Sequence, residues 1–209
     1  MRRSLACLLL LCWTACAAAA PTGDEAAGVD GATVDVPAVD APTSTPTPAP
    51  EAPLAGRDLT LVVRKADRLL EVRSDGEVLR RYRIGLGFAP AGDKEQQGDG
   101  KTPEGRFRVA RRVPKSSYYK AFLIDYPDPD DAARGLEAGL ISESTAQSIR
   151  AAHAAGREPP QHSALGGLIE IHGMGSSSDW TLGCVALDND AIDALWPHVA
   201  VGTPVVIGP

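Results

Sequence analysis

Two segments decide how the C-terminal part of this chain folds: Leu168-Ile169-Glu170-Ile171-His172-Gly173 and Thr181-Leu182-Gly183-Cys184-Val185-Ala186-Leu187. Each contains a short apolar run next to a glycine, which is typical of a buried strand. The first strand would carry His172 at its end, and the second would begin at Cys184. Because a sheet brings together residues that are distant in sequence, these two side chains can meet across adjacent strands.

Cys184 is a thiol without a disulfide partner. The chain has four cysteines, and Cys7, Cys12 and Cys16 lie in an N-terminal export signal. An exported protein with one remaining thiol has no intramolecular disulfide framework. Three interpretations remain open: a buried inert cysteine, an intermolecular disulfide and a nucleophile. His172 upstream favours the nucleophile, because an imidazole can accept the thiol proton.

Residues 1–20 have the pattern of a cleaved secretory signal. Two arginines precede an apolar run, Leu5 to Trp13, that is too short to span a membrane, and small residues follow. Cleavage in the alanine run would give a soluble exported protein. Alternatively, Trp13-Thr14-Ala15-Cys16 resembles a bacterial lipobox, with cleavage before Cys16 and a lipid on its thiol. We therefore expect an exported protein of the periplasm or cell envelope, with membrane contact only through such an anchor.

Residues 17–56 are rich in Pro, Ala and Thr, lack Lys and Arg, and hold six of the chain's 27 acidic residues. Such a segment buries too little apolar surface to offset its ordering entropy, so we expect a disordered linker. The net charge of residues 57–209 is close to zero, and they lack the basic surface that binding of nucleic acid requires. Their length suits one domain with one core, and we expect a monomer.

The alternation of apolar and polar residues predicts mainly strands after the linker. The predicted strands are residues 59–63, 69–73, 77–86, 106–109, 122–124, 168–171, 184–187 and 203–207. Residues 130–156 predict a helical insertion, in which Ser142 or Ser144 caps a helix that ends near Ala155. A short helix is predicted from Ala191 to Trp196. The expected fold class is β-rich, with mixed sheets or a sandwich, a helical insertion and a short C-terminal helix.

The glycines beside the two candidate residues also bear on chemistry. Gly183 lets the backbone approach closely, so the amides of Gly183 and Cys184 could hydrogen-bond a developing oxyanion. The carbonyl of Gly173 is a candidate to orient the imidazole of His172. The other three histidines show no ligand spacing, so we expect no metal site and no cofactor.

These residues resemble the active-site signature of the L,D-transpeptidase catalytic domain (YkuD-like) family. In that family a histidine-glycine pair precedes a Ser/Thr-x-Gly-Cys motif, which matches residues 171–173 and 181–189 here. Residues 87–94, 98–105 and 114–116 also resemble the family, most of all its YafK-like branch. Leu182 stands where many members carry a second histidine, and Ala186 where many carry an arginine. The first departure leaves a Cys–His mechanism intact, whereas the second removes a carboxylate contact.

The resemblance implies an exported enzyme that acts on peptidoglycan stem peptides through a thioester on Cys184. His172 would be the base, the Gly173 carbonyl would orient it, and the amides of Gly183 and Cys184 would bind the oxyanion. Candidate substrate contacts are Trp180, Thr181, Tyr118 and Tyr119.

Three functions follow from this signature. The first is a transpeptidase that forms or remodels cross-links, and the second is a hydrolase that cuts stem-peptide linkages or releases wall-anchored lipoprotein. The third is a catalytically silent wall-binding module. The helical insertion either packs over a sheet edge or forms a lid over the donor peptide.

Overall fold

The computed structural model describes residues 53–209, which form eight strands and three helices. The strands are β1 (Thr60–Arg64), β2 (Leu69–Ser74), β3 (Glu77–Arg83), β4 (Gly105–Ser116), β5 (Tyr119–Ile124), β6 (Glu170–His172), β7 (Val185–Ala186) and β8 (Pro204–Gly208). The helices are α1 (Pro129–Glu137), α2 (Glu143–Ala154) and α3 (Asn189–Leu195). The predicted signal segment, Cys16 and nearly all of the predicted linker lie outside the described residues.

The strands are hydrogen-bonded in the order β3-β2-β1-β8-β4-β5-β6-β7. The pairs β1–β8 and β6–β7 are parallel, and the other neighbouring pairs are antiparallel. The long strand β4 joins the two halves: its residues 105–108 pair with β8, and its residues from Val109 onward pair with β5. The prediction of a β-rich fold of mixed sheets with few helices is confirmed.

One hydrophobic core spans the whole strand order. It includes Leu61 and Leu70 from β1 and β2, Phe122 from β5, and Ile171 and Val185 from β6 and β7. Burying an aliphatic or aromatic side chain of this size contributes about 1.5–3 kcal/mol. Strands β6 and β7 are short. Their packing against this common core fixes the position of His172, at the end of β6, and of Cys184, just before β7.

The helical insertion contains two helices, of which the sequence patterns predicted one. Helix α2 begins as predicted after Ser142, whose side chain accepts a hydrogen bond from the Thr145 amide at 3.2 Å. Helix α1 was not predicted, although Asp128 forms a capping box with Asp131 and Pro129 occupies the first turn. A second apolar cluster (Ala132, Ile141, Ala146, Ile149 and Leu165) holds the two helices together.

Two buried lysines pair with acidic residues of the segment between β3 and β4. The side chain of Lys94 is 3% exposed, and its Nζ lies 2.7 Å from the Asp99 carboxylate. Lys65 of the β1–β2 connection pairs with Glu104 at 2.8 Å. We call residues 92–104 the charge-paired loop. None of the helices in the described part of the chain is both long and apolar enough to cross a bilayer.

Candidate active site

The parallel pairing of β6 with β7 brings the two predicted reactive residues to one face of the sheet. Ile171 pairs with Val185 and His172 with Ala186, so Glu170, one residue earlier, lies beside Cys184. Alternate residues of a strand face opposite sides, so Ile171 enters the core while Glu170 and His172 face away from it. Glu170, His172 and Cys184 all line a cavity of about 580 Å³.

The imidazole of His172 is buried, oriented and neutral. It is 1% exposed, and its Nδ1 lies 2.7 Å from the carbonyl oxygen of Gly173. A carbonyl can only accept, so Nδ1 carries the proton and Nε2 presents its lone pair. Burial lowers the pKa of His172, against a smaller opposing effect of the Gly173 hydrogen bond. His172 therefore has the tautomer and charge of a general base at neutral pH.

Two aromatic rings hold that imidazole in place. Tyr118 stacks on His172 with ring centroids 4.5 Å apart, and Trp180 meets it edge-on at 5.5 Å. Trp180 is itself held by a hydrogen bond from Nε1 to the Gly175 carbonyl at 3.1 Å. Offset and edge-on contacts of this kind stabilise ring orientation. Tyr118 and Trp180 therefore contact the His172 ring and also line the cavity.

Cys184 is partly exposed in the cavity and is a thiol at rest. Its Sγ accepts a hydrogen bond from the Glu170 amide at 3.4 Å and donates to the Leu168 carbonyl at 3.6 Å. Burial raises the pKa of the Cys184 thiol to about 11. Within residues 53–209, Sγ hydrogen-bonds to these two backbone groups and not to His172. Transfer of the thiol proton to the imidazole therefore requires that the S–H group leave the Leu168 carbonyl.

The turn before Cys184 is fixed by Thr181 and Gly183. Thr181 Oγ1 donates to the Cys184 carbonyl at 2.8 Å and accepts from the Gly183 amide at 3.1 Å. The Gly183 amide, expected to face an oxyanion, is thus already occupied. Over the described range, the Cys184 amide has no hydrogen-bond acceptor. Gly183 has a φ of 135°, and a Cβ there would lie 2.7 Å from the Lys101 carbonyl oxygen, so only glycine fits.

The connection between His172 and Cys184 is braced on both sides. The Met174 amide donates to the Asn189 side chain at 2.9 Å, and the Ser176 amide donates to the Asp188 carboxylate at 3.0 Å. On the other side, the Asp179 carboxylate accepts from the Leu86 amide at 3.0 Å and from the Arg68 guanidinium. Gly173 must remain a glycine, because an added Cβ would lie 2.4 Å from the Asn189 amide oxygen. These contacts set the relative positions of base and thiol.

The structure brings most of the predicted contact residues to the cavity, but not all. Tyr118, Trp180 and Thr181 line it together with the exposed Leu182. Tyr119 does not, because the tight turn between β4 and β5 directs successive side chains apart. The Tyr119 hydroxyl instead donates to the Asp193 carboxylate of α3 at 2.8 Å.

The helical insertion is also separate from the cavity. No residue of α1 or α2 is among those that line it. The insertion is attached instead near the end of β5, where the Tyr126 hydroxyl donates to the Leu165 carbonyl at 2.8 Å. This arrangement favours packing over a sheet edge rather than a lid.

Glu170 and Ser116 were not predicted to belong to the site. Ser116 Oγ lies 3.3 Å from the Glu170 carboxylate, and both residues line the cavity. Burial raises the pKa of Glu170. A charged residue two positions before His172, in an otherwise apolar strand, is a signal that could have identified it. Among residues 53–209, no group of three or more potential ligand side chains is arranged to hold a metal.

Comparison with known proteins matches most of the chain to one family. Residues 58–207 match the family model of YkuD, the L,D-transpeptidase catalytic domain. The chain is 29% identical over 138 residues to the candidate L,D-transpeptidase YafK of Escherichia coli (strain K12), covering 65% of this chain and 43% of YafK. The chain thus spans less than half the length of that relative.

Two solved structures are also similar to part of this chain. The helical cell shape determining protein Pgp2 (K307A mutant) of Campylobacter jejuni is 27% identical with a TM-score of 0.49, over 72% of this chain and 47% of Pgp2. An L,D-transpeptidase of Xylanimonas cellulosilytica is 17% identical with a TM-score of 0.43, over 75% of this chain and 63% of that one.

Proposed function

This chain belongs to the L,D-transpeptidase catalytic domain family, and on that premise we propose that it is a cysteine acyltransferase acting on peptidoglycan stem peptides. One observation carries the proposal: Cys184 and His172 line a single cavity, and the Gly173 carbonyl holds the imidazole in the tautomer of a base. A thiol and an oriented base in one cavity are the components that nucleophilic catalysis requires.

In the proposed first half-reaction, Cys184 Sγ attacks the carbonyl between a diaminopimelate residue and the terminal D-amino acid. Nε2 of His172 accepts the thiol proton as the S–C bond forms. The tetrahedral intermediate carries an oxyanion, and we assign the Cys184 amide as its donor because the Gly183 amide is bonded to Thr181. Breakage of the C–N bond returns the proton to the departing amine and leaves a thioester on Cys184.

In the second half-reaction, an amine attacks the thioester while His172 accepts its proton. The product is a cross-link or a protein tether, and the thiol is regenerated. Water in place of the amine would give hydrolysis. We also assign Tyr118 and Trp180 a role in binding the acyl donor, because both rings line the cavity beside His172.

The two outcomes are separated by incubating the purified protein with defined muropeptides and analysing the products by mass spectrometry. Transpeptidation gives dimers whose yield rises with acceptor concentration. Products of water addition alone, at high acceptor concentration, would overturn the transfer reaction in favour of a hydrolase.

A carbapenem tests the catalytically silent alternative. A covalent adduct on the wild-type protein that is missing from Cys184→Ala shows that the thiol reacts and excludes a silent wall-binding module. Equal behaviour of the two proteins in both the carbapenem and the muropeptide assays would overturn the proposed activity.

We further propose that the protein is exported to the periplasm or cell envelope by residues 1–20. A lipid on Cys16 is the proposed anchor. Mature wild-type protein should then carry the mass of the lipid and should accumulate as precursor in the presence of globomycin. The Cys16→Ser variant should lack both properties, and a wild-type protein of unlipidated mass would contradict the anchor.

A further inference from the structure

Glu170 places a carboxylate next to the nucleophile without a matching cation. Its own amide donates to Cys184 Sγ at 3.4 Å, and its side chain lines the same cavity as the thiol. Within the described part of the chain, Ser116 Oγ at 3.3 Å is the hydrogen-bond partner of this carboxylate, and Glu170 makes no ion pair. A partly buried carboxylate with so little compensation is unfavourable in the free protein.

The cations near this carboxylate do not neutralise it directly. Arg111 also lines the cavity and partly offsets the effect of burial on the pKa of Glu170, but its guanidinium pairs with Glu158 at 3.1 Å and is about half exposed. Lys115, the other cation of the cavity wall, is exposed and forms no ion pair within residues 53–209. Within the described residues, the Glu170 carboxylate therefore has no cation in hydrogen-bond contact.

The charge of Glu170 also opposes the proposed chemistry. Burial, and to a smaller extent the Glu170 carboxylate, raises the pKa of the Cys184 thiol. A negative sulfur that develops beside a negative carboxylate is disfavoured by Coulomb repulsion. A positive group bound between or beside them would remove this cost at the moment of attack.

We propose that Glu170 binds a primary ammonium group of the substrate next to Cys184. The inference rests on the proposed function and adds the chemical class that the cavity selects. Two sources share this chemistry: the side-chain amine of a diamino acid in the acyl donor, and the amine of the acceptor. A carboxylate and an ammonium form a short, charge-assisted hydrogen bond, which Ser116 would support from the other side.

The first test needs no peptide turnover. Cys184 of the full-length protein is modified with 2-aminoethyl methanethiosulfonate, which is cationic, and with its uncharged methyl analogue, and modification is mapped to Cys184 by peptide mass. The thiolate forms a disulfide with the reagent and releases methanesulfinate. We expect Glu170→Gln to lower the cationic-to-neutral rate ratio about tenfold. The matched control Glu143→Gln, on α2, removes an exposed carboxylate and should leave the ratio unchanged.

A second variant keeps Glu170 intact. Ser116→Lys introduces an ammonium beside the carboxylate and should lower the same ratio by competition. Unfolding midpoints identify any variant that fails to fold. An unchanged ratio in a folded Glu170→Gln protein, or in Ser116→Lys should the first not fold, would overturn the proposal.

The second test distinguishes the two sources. Single-turnover acylation of Cys184 is compared for a donor peptide with a free diaminopimelate amine and for the same peptide acetylated there. Partition of the acyl-enzyme between amine and water is measured separately. If Glu170→Gln loses the preference for the donor with a free amine, the ammonium group belongs to the donor. If it loses the preference for amine over water, the ammonium group belongs to the acceptor. A wild-type protein that no donor acylates refutes the proposed function, and the reagent ratio still decides the role of Glu170.

Discussion

Two regions of the molecule bury ionisable side chains in opposite ways. In the charge-paired loop, Lys94 pairs with Asp99 at 2.7 Å, and Asp99 accepts further bonds from backbone amides. In the cavity, His172, Cys184 and Glu170 make no ion pair within the described residues, and burial is the largest influence on the pKa of each. Compensated charges hold a conformation, whereas uncompensated groups with shifted pKa values are typical of reactive sites.

The charge-paired loop and the turn that lines the cavity are in contact. The Lys101 carbonyl of the loop lies against Gly183, and the Thr102 hydroxyl accepts from the Gly87 amide. Gly87 in turn forms a bridge to Thr181, in the turn before Cys184. The charge-paired loop thus packs against the turn that precedes Cys184.

The largest effect is expected from removing the base. Replacing His172 by Ala should slow acylation of Cys184 by a donor peptide about 10²–10⁴-fold, because the imidazole is the proposed acceptor of the thiol proton. Stopped-flow mixing followed by intact-protein mass spectrometry measures this rate. The exposed His162→Ala is the matched control and should react like wild type. A loss of less than tenfold in His172→Ala would remove His172 from the role of base.

The next effect is on stability and belongs to the loop. Lys94→Met leaves Asp99 without its buried counter-ion and should lower the free energy of unfolding by about 3 kcal/mol. Urea denaturation measures the change. Lys101→Met removes an exposed pair with Glu95 and should leave the unfolding midpoint unchanged. Equal midpoints for the two variants would show that the loop pairs do not hold the conformation.

A smaller effect is expected from the aromatic contact with the base. Tyr118→Leu removes the ring stacked on His172 and should reduce the acylation rate about 3–10-fold, the range that one aromatic contact contributes. Tyr119→Leu is a matched control from the next position, since Tyr119 does not line the cavity. Similar losses in both variants would indicate that the β4–β5 turn, rather than the ring contact, matters.

The smallest change is expected with pH. Between pH 7 and 9 the imidazole is neutral, since its pKa is lowered from 6.5, and the thiol is protonated, since its pKa is raised to about 11. Both reactive forms are then constant, so the acylation rate should vary less than about twofold. Attack by a thiolate that has lost its proton to solvent, rather than to His172, would instead make the rate rise about tenfold per pH unit. A pH–rate profile distinguishes these cases.

Much of the fold follows from local sequence patterns. The strands β1 to β3 follow from alternation and from the Asp75-Gly76 turn, and α2 follows from its Ser142 cap. Strand β4 is longer than predicted, because its pairing with β5 continues past Val113 after a shift in register. Pro114 argues against a strand at this position, so the sequence did not indicate the extension. Helix α1 carried a recognisable capping box that the prediction overlooked.

The site was predictable where neighbouring residues in sequence define it, and not where folding brings distant segments together. The tautomer of His172 depends on Gly173, one residue away, and the sequence identified that pair. The occupation of the Gly183 amide depends on the Thr181 rotamer, and the contact of Glu170 with Ser116 depends on strand pairing. Pairings such as Lys65 with Glu104 require the path of a loop that no periodicity encodes.

The proposed function depends on formation of a thioester between Cys184 and a stem peptide. The most direct measurement is intact-protein and peptide mass spectrometry of the protein mixed with a diaminopimelate tetrapeptide donor and quenched in acid. We expect an adduct of the donor minus its terminal D-amino acid, located on the peptide that contains Cys184 and missing from Cys184→Ala. Product formation with the adduct on another residue, or by Cys184→Ala at the wild-type rate, would contradict it.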